Sequence, residues 1–153
     1  MKKFVNHVDH IVWASRLESV EANVAELEKR TGAKFARVEH AMGILMYVDW
    51  SAGLEVQAPL EADTEYGRTL RDWLDAHGEG VLGVVFGVRD IEAHRVAVER
   101  LGVEVGPLMT TSPTSPYRDQ LFGRERMTGV VMNTNITLGE IDYADGLISF
   151  DDV

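Results

Sequence analysis

The sequence predicts an α+β fold: two tandem βαβββ modules whose eight strands form a curved sheet around a small-molecule cavity. Three observations predict it. First, the stretch VDHIVWASRLE near the start returns as VLGVVFGVRDIE, with Asp9 over Leu82, His10 over Gly83, Trp13 over Phe86 and Arg16 over Arg89. Second, each copy leads into a helix pattern stopped by a glycine, Gly32 and then Gly102. Third, each helix pattern is followed by short β-type runs separated by turn residues. A half-size module cannot bury its sheet alone, so the two copies belong to one unit of packing. Eight strands suffice to curve around one small molecule.

The elements follow in order. Val5 to Ala14 is rich in β-branched and aromatic residues and reads as a strand. Val20, Val24 and Leu27 recur at helical spacing behind Ser15. Gly32 stands where a helix end wants a left-handed residue. Phe35 to His40 and Ile44 to Trp50 predict a hairpin around Ala41-Met42-Gly43, and Leu54 to Pro59 a third strand. A connector follows. Glu61 to Tyr66 is polar and acidic, and Leu70, Trp73 and Leu74 predict a short helix over Thr69 to His77.

The second copy then begins. Val81 to Val88 predicts a strand, Ile91 to Leu101 a helix, and a strand is expected to begin at Val103 to Val105. Thr110 to Pro116, TTSPTSP, reads as a loop. Met127 to Asn133 and Ile136 to Tyr143 predict the last two strands. The expected organisation is 1–60 for the first module, 61–80 for the connector and 81–153 for the second module.

Composition narrows the function. The chain has 153 residues, an apolar fraction of 45%, no cysteine and a net charge of −10. Disulfides, thiolate catalysis and cysteine-ligated zinc are excluded. The acidic balance argues against nucleic acid and anionic membranes as partners. The opening MKKFVNHVDH has no apolar block of signal-peptide length, so a cytoplasmic location is expected. Arg118, Arg124 and Arg126 make the stretch from Tyr117 slightly basic. They read as solvated loop charges or as a landing site for an anionic ligand.

Strand parity selects candidate site residues. Residues two apart share a face. His10, Val12 and Ala14 therefore share one face, while His7 points to the other side, and an HxxH metal pair fails on a strand. Glu55 and Gln57 share a face of one module-closing strand; Leu138, Glu140 and Asp142 share a face of the other. A mid-strand carboxylate is costly to bury without a partner. Two of them, closing two copies of a repeat, direct attention to Glu55 and Glu140. His40 near a hairpin turn, His77 at a helix end and His94 on a helix read as structural or solvated.

The paired βαβββ order, DHIVWA and GEGVLGVVFGVRDIE at the openings, and LEVQAPL and LGEIDY at the closings resemble the vicinal oxygen chelate superfamily. That group includes glyoxalase I, extradiol dioxygenases, bleomycin-resistance proteins and methylmalonyl-CoA epimerases; the second opening looks most like the epimerases. The resemblance implies a divalent metal held by one ligand from the first strand and one from the last strand of each module. Carried over, these positions are His10 and Glu55, then Gly83 and Glu140. Gly83 has no side chain to offer. The remaining set, His10, Glu55 and Glu140, would suit Mg²⁺, Mn²⁺ or Fe²⁺ better than zinc, with an open position for a substrate oxygen.

The resemblance also marks Glu39, in VEHAMG, as a candidate general base beside Glu55 and Glu140. The implied function is isomerase- or lyase-like chemistry on a carboxylate, thioester or vicinal-oxygen substrate. The competing expectation is a metal-free cavity-binding protein of the bleomycin-resistance type, with residues such as Met42, Met46, Trp50 and Trp73 at the pocket. Open module edges predict a homodimer.

Overall fold

A computed structural model of the chain describes residues 4–149. The fold is α+β, in the order β1 (Val8–Ala14), α1 (Val20–Thr31), β2 (Ala36–His40), β3 (Ile44–Asp49), β4 (Leu54–Pro59), α2 (Glu65–His77), β5 (Gly80–Gly87), α3 (Ile91–Glu99), β6 (Met109–Thr110), β7 (Leu121–Val131) and β8 (Thr134–Tyr143). The eight strands are hydrogen-bonded as one sheet in the order β2-β3-β4-β1-β5-β8-β7-β6. Each βαβββ copy thus contributes the spatial order first, fourth, third, second strand. The chain divides into two compact units: Val12–Leu82, and the segment ending at Ile11 together with the segment starting at Gly83.

In the Val12–Leu82 unit, β2, β3 and β4 form an antiparallel meander. Val38 lies opposite Met46, Met46 opposite Gln57, and Val48 opposite Glu55. Opposed residues share a face. One face therefore carries Leu45, Tyr47, Val56 and Ala58, which pack with Val20 and Val24 of α1 and with Trp13. Val20, Val56 and Ala58 are all but sealed from solvent, at 1%, 1% and 0% exposure. The spacing of Val20, Val24 and Leu27 on α1 turns its apolar stripe to this face.

Helix α1 ends where Gly32 takes φ of 76° and its N–H bonds to the Glu28 carbonyl. Helix α2 starts four residues earlier than the apolar spacing predicts. Thr64 is its cap: the Thr64 hydroxyl accepts from Gly67 N–H at 3.0 Å and donates to the Met42 carbonyl at 2.6 Å. That donation ties the β2–β3 turn to the start of α2. Gly43, at φ 80°, is required there, because a Cβ would fall on the Thr64 side chain.

In the other unit, β5 and β8 run parallel, with Gly83 beside Asn135 and Gly87 beside Gly139. β8 pairs antiparallel with β7, and β7 with the short β6. Val88, Ile91 and Leu138 form a buried cluster joined by Phe86 and Val98. The strand expected from Val103 is absent; Val103 to Leu108 is irregular, and the ladder begins only at Met109. Pro107 has no N–H to contribute, and Gly106 N–H makes a single bond to the Met127 carbonyl at 2.8 Å. β7 begins at Leu121 rather than Met127, because Leu121 and Gly123 are buried while Phe122 and Arg124 are exposed. Charged residues on the open side hid this alternation.

Candidate functional site

The face of β2–β4 turned away from α1 carries Val38 and His40, then Ile44, Met46 and Val48, then Glu55 and Gln57. Glu55 is only 5% exposed and Gln57 9%. A buried carboxylate needs donors, and the site supplies them. Gln57 Nε2 donates to Glu55 Oε1 at 2.5 Å. Tyr66, in the first turn of α2, donates its hydroxyl to Gln57 Oε1 at 2.5 Å. Tyr66 also walls a surface groove with Met42, Thr64, Glu65 and Thr69. A row of polar groups thus leads from the groove to the buried carboxylate.

His40 belongs to the same face. Met42 N–H donates to His40 Nδ1 at 3.0 Å, so the neutral ring carries its proton on Nε2. Burial pulls the His40 pKa below its ordinary 6.5, and the Glu55 charge pulls the other way without restoring it. The imidazole is neutral at physiological pH, in the tautomer that donates from Nε2.

His10 lies on β1 on the face opposite Trp13 and is 5% exposed, whereas His7 is exposed. Its Nδ1 is 2.7 Å from Asp9 Oδ1. The same Asp9 oxygen accepts the Tyr143 hydroxyl at 2.5 Å. His10 falls in one compact unit and Glu55 in the other.

The carboxylates read as repeat partners are not partners. Ser15 N–H bonds to the Gln57 carbonyl at 2.9 Å, and Val88 N–H to the Gly139 carbonyl at 2.8 Å. Ser15 and Val88 are equivalent in the repeat, so Gln57 corresponds to Gly139, Glu55 to Thr137 and Ala58 to Glu140. Glu140 accordingly points to the helix side. Its Oε2 accepts Ile91 N–H, the first of α3, at 2.9 Å, and Arg124 stands 3.9 Å from its other oxygen. Asp90 caps the next two N–H groups at 3.0 and 2.9 Å. Two carboxylates thereby satisfy three of the orphan donors at the helix start.

Glu39 is likewise on the α1 side of β2, paired with Arg37 at 3.0 Å and exposed. Its neighbour His40 is the residue turned to the Glu55 face. Among the described residues, no group of three or more His, Asp or Glu side chains is placed to hold a metal ion. The second module offers glycine at 83, threonine at 137 and a carboxylate turned to α3. These residues do not fit the four-position ligand set implied by the resemblance. The basic stretch is also internally engaged: Arg126 pairs with Glu92 at 2.6 Å and donates to the Gly106 carbonyl at 2.9 Å.

Gln57, Tyr66 and His40 joined the site without being chosen from the sequence. Parity already put Gln57 beside Glu55, and only its role was missed. His40 was legible from the same parity once the hairpin register was known. Tyr66 carried no local signal, since it lies in a stretch that reads as polar connector.

No family model matches the chain, and no curated protein matches it. Solved structures do. The methylmalonyl-CoA epimerase of Mycobacterium tuberculosis is similar at 18% identity and TM-score 0.64, over 92% of this chain and 91% of that one. The Streptomyces coelicolor methylmalonyl-CoA epimerase in complex with 2-nitronate-propionyl-CoA is similar at 20% identity and TM-score 0.61, over 90% of this chain and 98% of that one. A methylmalonyl-CoA epimerase in complex with methylmalonyl-CoA and NH4+ is similar at 19% identity and TM-score 0.63, over 95% and 99%. The helices, the strand order and these similarities agree that the chain has the vicinal oxygen chelate fold, in the form these epimerases adopt.

Proposed function

We propose that the chain is a small-molecule isomerase of the vicinal oxygen chelate type, which removes and returns a proton beside the carbonyl of an acyl thioester or carboxylate. The observation that carries this reading is the buried Glu55–Gln57–Tyr66 row on the face of β2–β4 turned away from α1, with His40 on the same face. Proton abstraction from carbon needs a carboxylate with few waters and a fixed lone pair. Gln57 holds one Glu55 oxygen and so orients the carboxylate that acts as the base. The developing enolate oxygen needs a donor, and His40 carries its proton on Nε2 for that purpose. Tyr66 orients Gln57 from the groove side. No step is routed through a metal ion. Acyl thioesters are favoured because the similar epimerases are seen with coenzyme A thioesters.

The experiment is hydrogen exchange. The protein is incubated in D2O with a panel of 2-methyl-branched acyl-coenzyme A thioesters and the matching free acids, with and without added Mg²⁺ or Mn²⁺. Incorporation of deuterium beside the carbonyl is expected for the accepted substrate, and Glu55→Gln lowers its rate by about 10²-fold or more. No exchange with any member of the panel would remove the reading.

A second reading has its own support. Ile44, Met46 and Val48, buried at 1%, 3% and 3%, interleave with the polar row on the same face, which suits a binding protein that sequesters an apolar ligand. Under that reading a thioester or aromatic compound raises the melting temperature and no deuterium is exchanged.

A further inference from the structure

The Thr64 hydroxyl makes two bonds where a helix cap needs one. It accepts the Gly67 N–H at 3.0 Å, which is the cap, and it donates to the Met42 carbonyl at 2.6 Å. Capping alone asks only for an acceptor. The anchor at Met42 is itself fixed: Met42 N–H donates to His40 Nδ1 at 3.0 Å, Gly43 N–H to the His40 carbonyl at 3.0 Å, and Leu60 N–H to the Gly43 carbonyl at 2.9 Å. Two glycines leave the room that the hydroxyl fills. A Cβ on Gly43 would overlap the Thr64 hydroxyl oxygen, and one on Gly67 would lie 2.8 Å from it. Gly67 lies within α2, where glycine is a poor helix former, so its missing side chain serves this close approach.

We infer that Thr64 is a positioning residue for Tyr66: its bond to Met42 ties the first turn of α2 to the β2–β3 turn and so sets where the Tyr66 hydroxyl falls on Gln57. The inference rests on the proposed function in taking the Glu55–Gln57–Tyr66 row as the site. Tyr66 follows Thr64 by two residues, in the same helical turn. A helix start bonded to a fixed strand turn is not free to slide along the sheet, and Tyr66 moves with it. Tyr66 then donates to Gln57 at 2.5 Å, and Gln57 to Glu55 at 2.5 Å. The order of action is Thr64, Tyr66, Gln57, Glu55. Only a hydroxyl serves both of Thr64's bonds, since a carboxylate accepts without donating and a methyl does neither. His40 is mounted on the same turn through Met42 N–H, so the tie also fixes α2 against the residue assigned as donor to the enolate.

The test separates tying from capping. Thr64→Asp keeps an acceptor for Gly67 N–H, and aspartate caps a helix at least as well as threonine, but it has no hydrogen to give the Met42 carbonyl. Two readouts are taken: the Gln57 side-chain amide signals in nitrogen-15 NMR, and the rate of deuterium incorporation into the accepted substrate. Thr64→Asp is expected to keep its circular dichroism and to displace the Gln57 signals in the direction that Tyr66→Phe displaces them. Its exchange rate should fall about three- to tenfold, as expected for a misplaced orienting group. Thr64→Ser retains both bonds and should keep the wild-type signals. Adding Thr64→Asp to Tyr66→Phe should slow exchange no further than Tyr66→Phe alone, because effects that pass through one residue do not add. Unmoved Gln57 signals in Thr64→Asp, or a double variant slowed by the product of the two factors, would overturn the inference. If Thr64→Asp does not fold, Thr64→Val, which removes the hydroxyl and keeps the shape, is read in the same way. The Gln57 signals need no substrate, so displaced signals in a protein that exchanges no substrate proton would keep the tie and remove the functional reading. Active protein with unmoved signals would do the reverse.

Discussion

Glu140 separates a helix-capping role from a ligand role, and its replacement by alanine tells them apart. The side chain accepts Ile91 N–H at 2.9 Å, and Ile91 is 1% exposed, so water is poorly placed to replace the carboxylate. Leaving a buried donor unsatisfied costs about 1–3 kcal/mol. Losing a negative charge at a helix start costs about 0.3–1 kcal/mol, more where the group is partly buried. Glu140→Ala should therefore lose about 2 kcal/mol. For a chain of this size that corresponds to a fall in Tm of about 4–8 °C. Glu140→Gln keeps an acceptor oxygen and should lose less than about 1 kcal/mol. Urea unfolding followed by circular dichroism gives both values. If neither variant shifts the midpoint, and Glu140→Gln instead abolishes divalent-ion binding, the capping argument is wrong and the ligand role implied by the resemblance is restored.

Other expectations follow from the same geometry. Gly43→Ala should destabilise by about 2 kcal/mol in urea melts, since it imposes a side chain at positive φ and displaces the Thr64 cap. Tyr66→Phe should lower turnover about tenfold in the exchange assay with little change in Tm, because it frees Gln57 without disturbing the apolar face. Acid should loosen the β1–α1 connection through Glu79. Desolvation raises its pKa, but hydrogen bonds from Ser15, the Arg16 backbone, Ser19 and Asn23 outweigh that and hold it below the ordinary 4.5. A depressed carboxylate contributes stability that is present above 4.5 and lost as pH falls through the folded value. Glu79→Gln should accordingly flatten the acid limb of the stability profile. Val130, Val131 and Met132 at the β7–β8 turn are 56%, 56% and 91% exposed; light scattering should report twice the 17.0 kDa chain mass if the homodimer forms.

The fold was readable because repetition and periodicity are properties of the chain itself. Asp9 over Leu82 aligned two modules, and the strand at Leu54 to Pro59 was found with its observed bounds. The site was less readable, because a strand's parity tells which residues share a face but not which face the helix covers. Glu55 and Glu140 both stand mid-strand, yet the ladders set them three residues out of register, with Glu140 equivalent to Ala58 and Glu55 to Thr137. Only the Ser15–Gln57 and Val88–Gly139 hydrogen bonds reveal this. Glu39 and His40 pose the same ambiguity one residue apart, and the β2–β3 pairing decides for His40. Tyr66 and Tyr143 reach their partners from elsewhere in the chain, across separations that no local pattern encodes. Basic residues in 118–126 looked like loop charges because Arg124 and Arg126 interrupt the alternation; Arg126 is instead bound to α3 through Glu92.

The most direct test is a crystal structure of the protein with an acyl thioester bearing a planar anionic mimic of the enolate. The account predicts that the anionic group lies against the face carrying Glu55, Gln57 and His40, with its carbon facing the Glu55 carboxylate. A mimic seated on the α1 side of β2–β4, or against Glu140 at the start of α3, would contradict it.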